Sequence, residues 1–96
     1  MGMDLHPRRK KPPVAGIHYN WSGWETLYTH LKNWNVDVSE FSGWNDGDPI
    51  SAETCIAVAG AIQKHFHELS REDKAWLRGH APKWRELAKA GGCRQW

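Results

Sequence analysis

Apolar positions recur along this chain with the spacing of helix faces. Trp24, Leu27, Tyr28, Leu31 and Trp34 advance in steps of three, one, three and three, which keeps them on one side of a helix of 3.6 residues per turn. Polar Glu25, Thr29, Lys32 and Asn33 fill the opposite side. Ser22 and Glu25 have the S-x-x-E spacing of a capping box, in which two orphan amide donors are satisfied reciprocally. The first helix is therefore predicted to run from Ser22 to near Asn35, and the alternating Val36, Asp37, Val38 suits a short extended piece. A longer stripe follows: Ala52, Cys55, Ile56, Ala59, Ile62, Phe66 and Leu69. It predicts a second helix, opened by Asp48–Pro49 or by Ser51, because proline is tolerated in a first turn whose amides lack partners anyway. Helices one and two are expected to form the core pair.

The remaining periodic segments are shorter. Ser70 with Asp73 is a variant capping box for a third helix carrying Trp76 and Leu77, broken at Gly79 and Pro82. A fourth helix from about Pro82 carries Trp84, Leu87 and Ala88, and Gly91–Gly92 ends it, since glycine accepts the left-handed conformation beyond a helix. Residues 1–20 show no helical period, and Pro7, Pro12 and Pro13 remove donors and fix φ. The expected fold is mostly α: a small single domain of three to four helices over 21–96, preceded by an extended basic arm over 1–20. The tail at 93–96 ends on Trp96 and is expected to be tied down.

Seven tryptophans in 96 residues change the picture of the core. Each can bury roughly 150–250 Å², so most are expected in the core or in an interface, with one to three left to line a site. Cys55 and Cys93 are too few for a disulfide framework; Cys55, among Ala52, Ile56 and Ala59, reads as a buried free thiol. Nothing approaches 18 consecutive apolar residues, so no membrane span is expected, and without a signal-peptide pattern the expected location is the cytoplasm.

Net charge is +2, but it is unevenly placed. Arg8, Arg9, Lys10 and Lys11 against Asp4 leave residues 1–19 at +3. Two lysines against seven acids leave 20–70 at −5, and seven cations against three acids leave 71–96 at +4. Either the basic ends fold back on the acidic middle, or they converge on an anion. Ala57, Gly60 and Ala61 make a small-residue face on helix two. Gly60 costs about 1 kcal/mol against alanine in a helix interior. A close approach by another helix or another copy would account for it, so a homo-oligomer is expected.

The stretch SGWNDGDP at 42–49 concentrates polar chemistry. A calcium loop fails in every register: with Asp46 first, Ile50 and Ser51 fall where an acceptor and a glycine are needed. A turn fits better, because Asn45, Asp46 and Gly47 tolerate positive φ. A turn does not require Trp44, which is expected to project beside the N-terminus of helix two. His65 and His67, two apart on a helix, cannot share a metal. Neither a nucleophile elbow nor a phosphate-binding glycine loop occurs, so no enzyme, cofactor or metal is expected. Binding remains. The expected ligand site combines Trp21, Trp24, Trp44, Asn45, Asp46, Arg85, Arg94 and Trp96, with Arg8 and Arg9 as possible contributions from the arm. Aromatic faces would stack a base, while cations and helix amides would hold phosphate.

Five short stretches stand out: the opening MGMDL, the W-x-x-L of Trp24–Leu27, the GWNDGD of Gly43–Asp48, the ISAE of Ile50–Glu53 and the GGC of Gly91–Cys93. Together they resemble a group of small proteins encoded by bacteriophages and prophages. The HPRRKKPP segment departs from that pattern. The resemblance implies a phage accessory protein acting in the host cytoplasm, without catalytic residues to carry over, that counters host defence. It would do so by sequestering a small anionic nucleotide-derived signal or, alternatively, by binding a host defence protein directly. DNA or RNA binding through Arg8–Lys11 is a weaker alternative.

Overall fold

The computed structural model describes residues 2–11 and 13–96; Pro12, one of the three prolines of the expected arm, lies outside them. Along the chain run β1 (Gly2–Pro7), β2 (Ile17–Asn20), α1 (Trp21–Asn33), β3 (Pro49–Ile50), α2 (Ala52–His65), α3 (Arg71–Leu77), α4 (His80–Lys89) and β4 (Cys93–Gln95), with a 3₁₀ turn at Phe66–Glu68. The strands form one antiparallel sheet in the order β2-β1-β4-β3. Helices take about half of the chain, so the fold is α+β and not mostly α.

The expected arm is the main correction, because its two strands supply half of the sheet. Met3 and Leu5 point into the core while Asp4 and His6 point out. Ile17 and Tyr19 alternate with His18 and Asn20 in the same way. Antiparallel pairing then sets Met3 opposite Tyr19 and Leu5 opposite Ile17 on the buried face, with Asp4 opposite His18 on the other. This is period-2 patterning of a half-buried sheet. Pro49 is tolerated in β3 because that strand is an edge.

The helices cover the inner face. Trp24, Leu27 and Leu31 of α1, Cys55, Val58 and Ile62 of α2, and Trp84 and Leu87 of α4 join the strand residues in one core. The dominant helix pair is α2 with α4, while α1 lies against β1 and β2. The expected pairing of helices one and two is thus replaced: once β1 and β2 are strands, α1 has a sheet to cover. Trp24 and Trp84 are buried, and Trp21, Trp34 and Trp76 are half-buried against the core. Trp44 and Trp96 are exposed.

Several helix ends follow from their sequence. Ser51 and Ser70 cap α2 and α3 by accepting from the amides of Thr54 and Asp73. Asn20, not Ser22, caps α1. Asp48–Pro49 does not open α2; Pro49 enters β3 instead. Residues 36–38 form no strand. α4 begins at His80, with Pro82 in its first turn, and ends at Gly91 and Gly92, both at positive φ. At Gly92, with φ +100°, a Cβ would lie 2.2 Å from the Ile50 carbonyl oxygen. Gly92→Ala should therefore destabilise the fold by roughly 3 kcal/mol or more, combining strained φ with a backbone collision; urea denaturation followed by circular dichroism measures it.

Candidate functional site

The loop at 42–48 is built around the side-chain amide of Gln95, which is fully buried. Its Oε1 accepts from the Ser42 amide at 2.7 Å, and its Nε2 donates to the carbonyls of Glu40 at 2.9 Å and Asp48 at 3.2 Å. The Gln95 backbone adds two bonds, accepting from the Gly47 amide and donating to the Asp48 carbonyl. Inside the loop, the Ser42 hydroxyl accepts from the Trp44 amide and Asp46 Oδ1 from the Asp48 amide. Asn45 Nδ2 donates to the carbonyls of Gly2 and Trp96, joining the loop to both ends of the chain. Gly47, at φ +83°, has the Trp96 ring so close that a Cβ would sit 2.6 Å from it.

Five of the expected site residues thus share one corner: Asn45 tying the loop to Gly2 and Trp96, Asp46 bending it, Arg94 donating to the Gly47 carbonyl at 3.1 Å, Trp96 lying over Gly47, and Trp44. Trp44 projects from the same loop, 76% exposed. Trp21 and Trp24 lie beside it in an open groove of about 350 Å³, with Tyr28, Phe41 and Gly43. Trp24 stacks on Phe41 at 4.7 Å and donates its indole N–H to the Ser42 carbonyl. The groove is lined mainly by aromatic carbon, and its one charged group is Glu25.

Arg85 does not join this corner; its guanidinium donates to Gln63 across the α2–α4 pair. Arg9 donates to the Lys89 carbonyl at 2.9 Å, where a cation complements the C-terminal end of α4. The Arg8 side chain is exposed, and its amide bonds to Gly92. The N-terminus of α2, expected to offer amides to a ligand, already holds an internal anion. Glu40 Oε1 accepts from the Thr54 hydroxyl and from the hydroxyl and amide of Ser51. These bonds, the Thr54 hydroxyl first, hold the Glu40 carboxyl below its ordinary range.

A second cavity, about 470 Å³, escaped sequence reasoning. His18, Tyr19, Asp73, Trp76 and His80 line it, with the first turn of α1. The buried Trp84 indole donates to Tyr19 Oη at 3.0 Å, and Tyr19 Oη lies 2.7 Å from His80 Nδ1. Burial, then the charge of Lys83, holds His80 below its usual range, and burial raises Tyr19. Asp73 takes His30 Nε2 and Trp76 Nε1, each at 2.9 Å, and the His30 bond is the first cause of its lowered pKa. Sequence gave no signal for Tyr19–His80 or His30–Asp73, which are 61 and 43 residues apart. The contact of His18 with Asp4 at 2.6 Å was readable from the β1–β2 alternation.

Cys55 and Cys93 are both free and buried; the Cys55 thiol beside Cys93, and then burial, pushes the Cys93 pKa up. Among the described residues no three His, Cys, Asp or Glu side chains group to hold a metal, and no helix is long and apolar enough to cross a membrane. Comparison with family models, curated proteins and solved structures gives no match.

Two outcomes test this geometry. Gln95→Leu strands the Ser42 amide and the Glu40 carbonyl, at about 1–3 kcal/mol for each buried unsatisfied group, so it should lower stability by several kcal/mol and raise hydrogen exchange at Ser42 and Gly47. For His80 the folded protein favours the neutral form, so its contribution to stability is fully present above the ordinary value of 6.5 and is lost as pH falls through the lower folded value. His80→Asn should flatten the stability profile just below pH 6.5, read from melting temperatures across about pH 3–8. It should leave the loss below pH 4.5, where Glu40 and Asp73 protonate.

Proposed function

We propose that this chain is a non-enzymatic binding protein whose recognition surface is the Trp21–Trp24–Tyr28–Phe41 groove together with the projecting Trp44. Its partner is a protein that inserts an apolar side chain into the groove. The carrying observation is the groove's chemistry beside Trp44: aromatic walls, Glu25 as the only charge among its lining residues, and an indole 76% exposed next to the Gly43 lip. Clustered aromatic anchors of this kind concentrate binding energy at protein interfaces. An anion would meet the Glu25 carboxylate there, and Glu40 already occupies the α2 N-terminus. With the resemblance to phage accessory proteins, the partner class is a host defence protein, met in the host cytoplasm.

Sequestration of a nucleotide-derived signal is the second reading. It is favoured by Trp96, 49% exposed, lying beside Arg94 at the same corner, a stacking face next to a cation. Arg85, bonded to Gln63, gives it no support.

The two readings part in one experiment. Tagged protein is used to capture partners from host lysate, beside Trp44→Ala, Trp21→Ala and, as a control away from the groove, Arg85→Ala. Protein recognition predicts one dominant species that both tryptophan variants lose, a loss of about 2 kcal/mol or more each at a hot spot. Arg85→Ala should retain it, and cyclic oligonucleotides or ADP-ribose should not compete. Trp96- and Arg94-dependent thermal stabilisation by those nucleotides, with no captured protein, would establish the second reading instead.

A further inference from the structure

The outward face of α2 has no partner among the described residues, and its residues form a pattern that is complementary to itself when reversed. Glu53, Ala57, Gly60 and Lys64 follow one another at intervals of four, three and four, which places them in a single row along the helix. All four are exposed. Ile56, on the flank of this row, is 59% exposed and one of only three large hydrophobic side chains exposed among the described residues. The other two, Trp44 and Trp96, belong to the loop corner. A Cβ at Gly60 would meet nothing within 4 Å, so no packing among the described residues explains glycine, the least favourable helix residue after proline, in this helix interior. Neither Glu53 nor Lys64 has an ion-pair partner in the described chain, whose pairs involve Asp4, Asp73, Glu68 and Glu86.

We propose that two copies associate through this face as an antiparallel, two-fold symmetric pair of α2 helices. The four-three-four spacing reads the same in both directions. A two-fold axis across its midpoint, between Val58 and Ala59, therefore brings Ala57 of one copy level with Gly60 of the other. It also sets Glu53 of each copy opposite Lys64 of the other, giving two equivalent ion pairs from one operation. Glycine and alanine at the centre let the helix backbones approach closely, and the two Ile56 side chains lie on the same flank of the helix pair, related by the axis, each level with Ala61 of the other copy. A parallel arrangement would instead set Glu53 beside Glu53 and Lys64 beside Lys64. The surface is self-complementary only when antiparallel, as an isologous interface requires. One helix face is a small interface by the standards of stable dimers, so the association should depend on concentration in the micromolar range.

Sedimentation velocity across about 1–300 μM provides the test. Glu53 and Lys64 are exposed, so charge reversals should leave the fold intact, which circular dichroism checks. The wild type should shift from 11.0 kDa toward twice that mass as concentration rises. Glu53→Lys and Lys64→Glu should each weaken self-association at least tenfold, because each creates two like-charge contacts. An equimolar mixture of those two variants should recover the dimer, since the mixed pair restores both opposite-charge contacts, and so should the double variant alone. Ile56→Asp should abolish association. A single 11.0 kDa species throughout the range, or a dimer that the reversals leave unchanged, overturns the proposal. So does a mixture that stays monomeric while the wild type dimerises.

Discussion

The buried amide of Gln95 is the constraint on which the rest of this structure depends. A side-chain amide out of contact with water must place its hydrogen-bonding groups within the protein or forfeit its solvation. Here it does so by reaching Glu40, Ser42 and Asp48 together. The penultimate residue thereby fixes a loop about fifty positions earlier, while its backbone lies in β4 between β1 and β3. No hydrophobic contact could set the loop as sharply, because burial of carbon is non-directional. The direction comes from three bonds at one residue. The groove and the exposed Trp44 therefore rest on a polar device embedded in an apolar core.

That dependence also explains which parts of the architecture were readable. A cap is a local statement: Ser51 and Ser70 reach amides three residues on, and the glycines after α4 meet a local need for positive φ. The stripe of α2 is long enough for its period to declare itself. The strands are different. β1 has six residues, β2 has four and β3 has two, and prolines stand in or near them. Met3 and Leu5 do alternate with Asp4 and His6, but so short a run is weak until its partner at 17–20 and its other partner at 93–95 are known. Reading residues 1–20 as an arm removed the sheet. With the sheet gone, α1 had nothing to cover except α2, so the wrong helix pair followed from the same omission.

The site was legible in its composition more than in its geometry. Of the expected turn residues only Gly47 takes positive φ; Asp46 bends the loop by accepting from the Asp48 amide, Asn45 ties it to Gly2 and Trp96, and Arg94 and Trp96 do meet it. Cations were harder to place, because a basic residue carries no sign of its destination. Arg9 settles on the end of α4 and Arg85 on Gln63, so the basic termini do not converge on one anion site. The acidic middle follows the same logic: Glu40 becomes the internal counterpart of the α2 N-terminus. The charge asymmetry along the chain is thus partly consumed within the fold.

Among the described residues each buried side-chain polar group has a partner, from the Trp84–Tyr19–His80 series to the Asp73 carboxylate shared by His30 and Trp76. Trp34 is held between the His30 and His65 rings at 5.2 and 4.8 Å. This joins the ends of α1 and α2, whose intervening loop would otherwise leave them loosely related. Such satisfied networks favour a single arrangement, because a rearrangement would strand a donor in a medium of low dielectric. The Trp44 and Ile56 side chains have no comparable employment among the described residues. If, as proposed, these side chains meet a partner, specificity would rest on their rigid placement by the polar network beneath them.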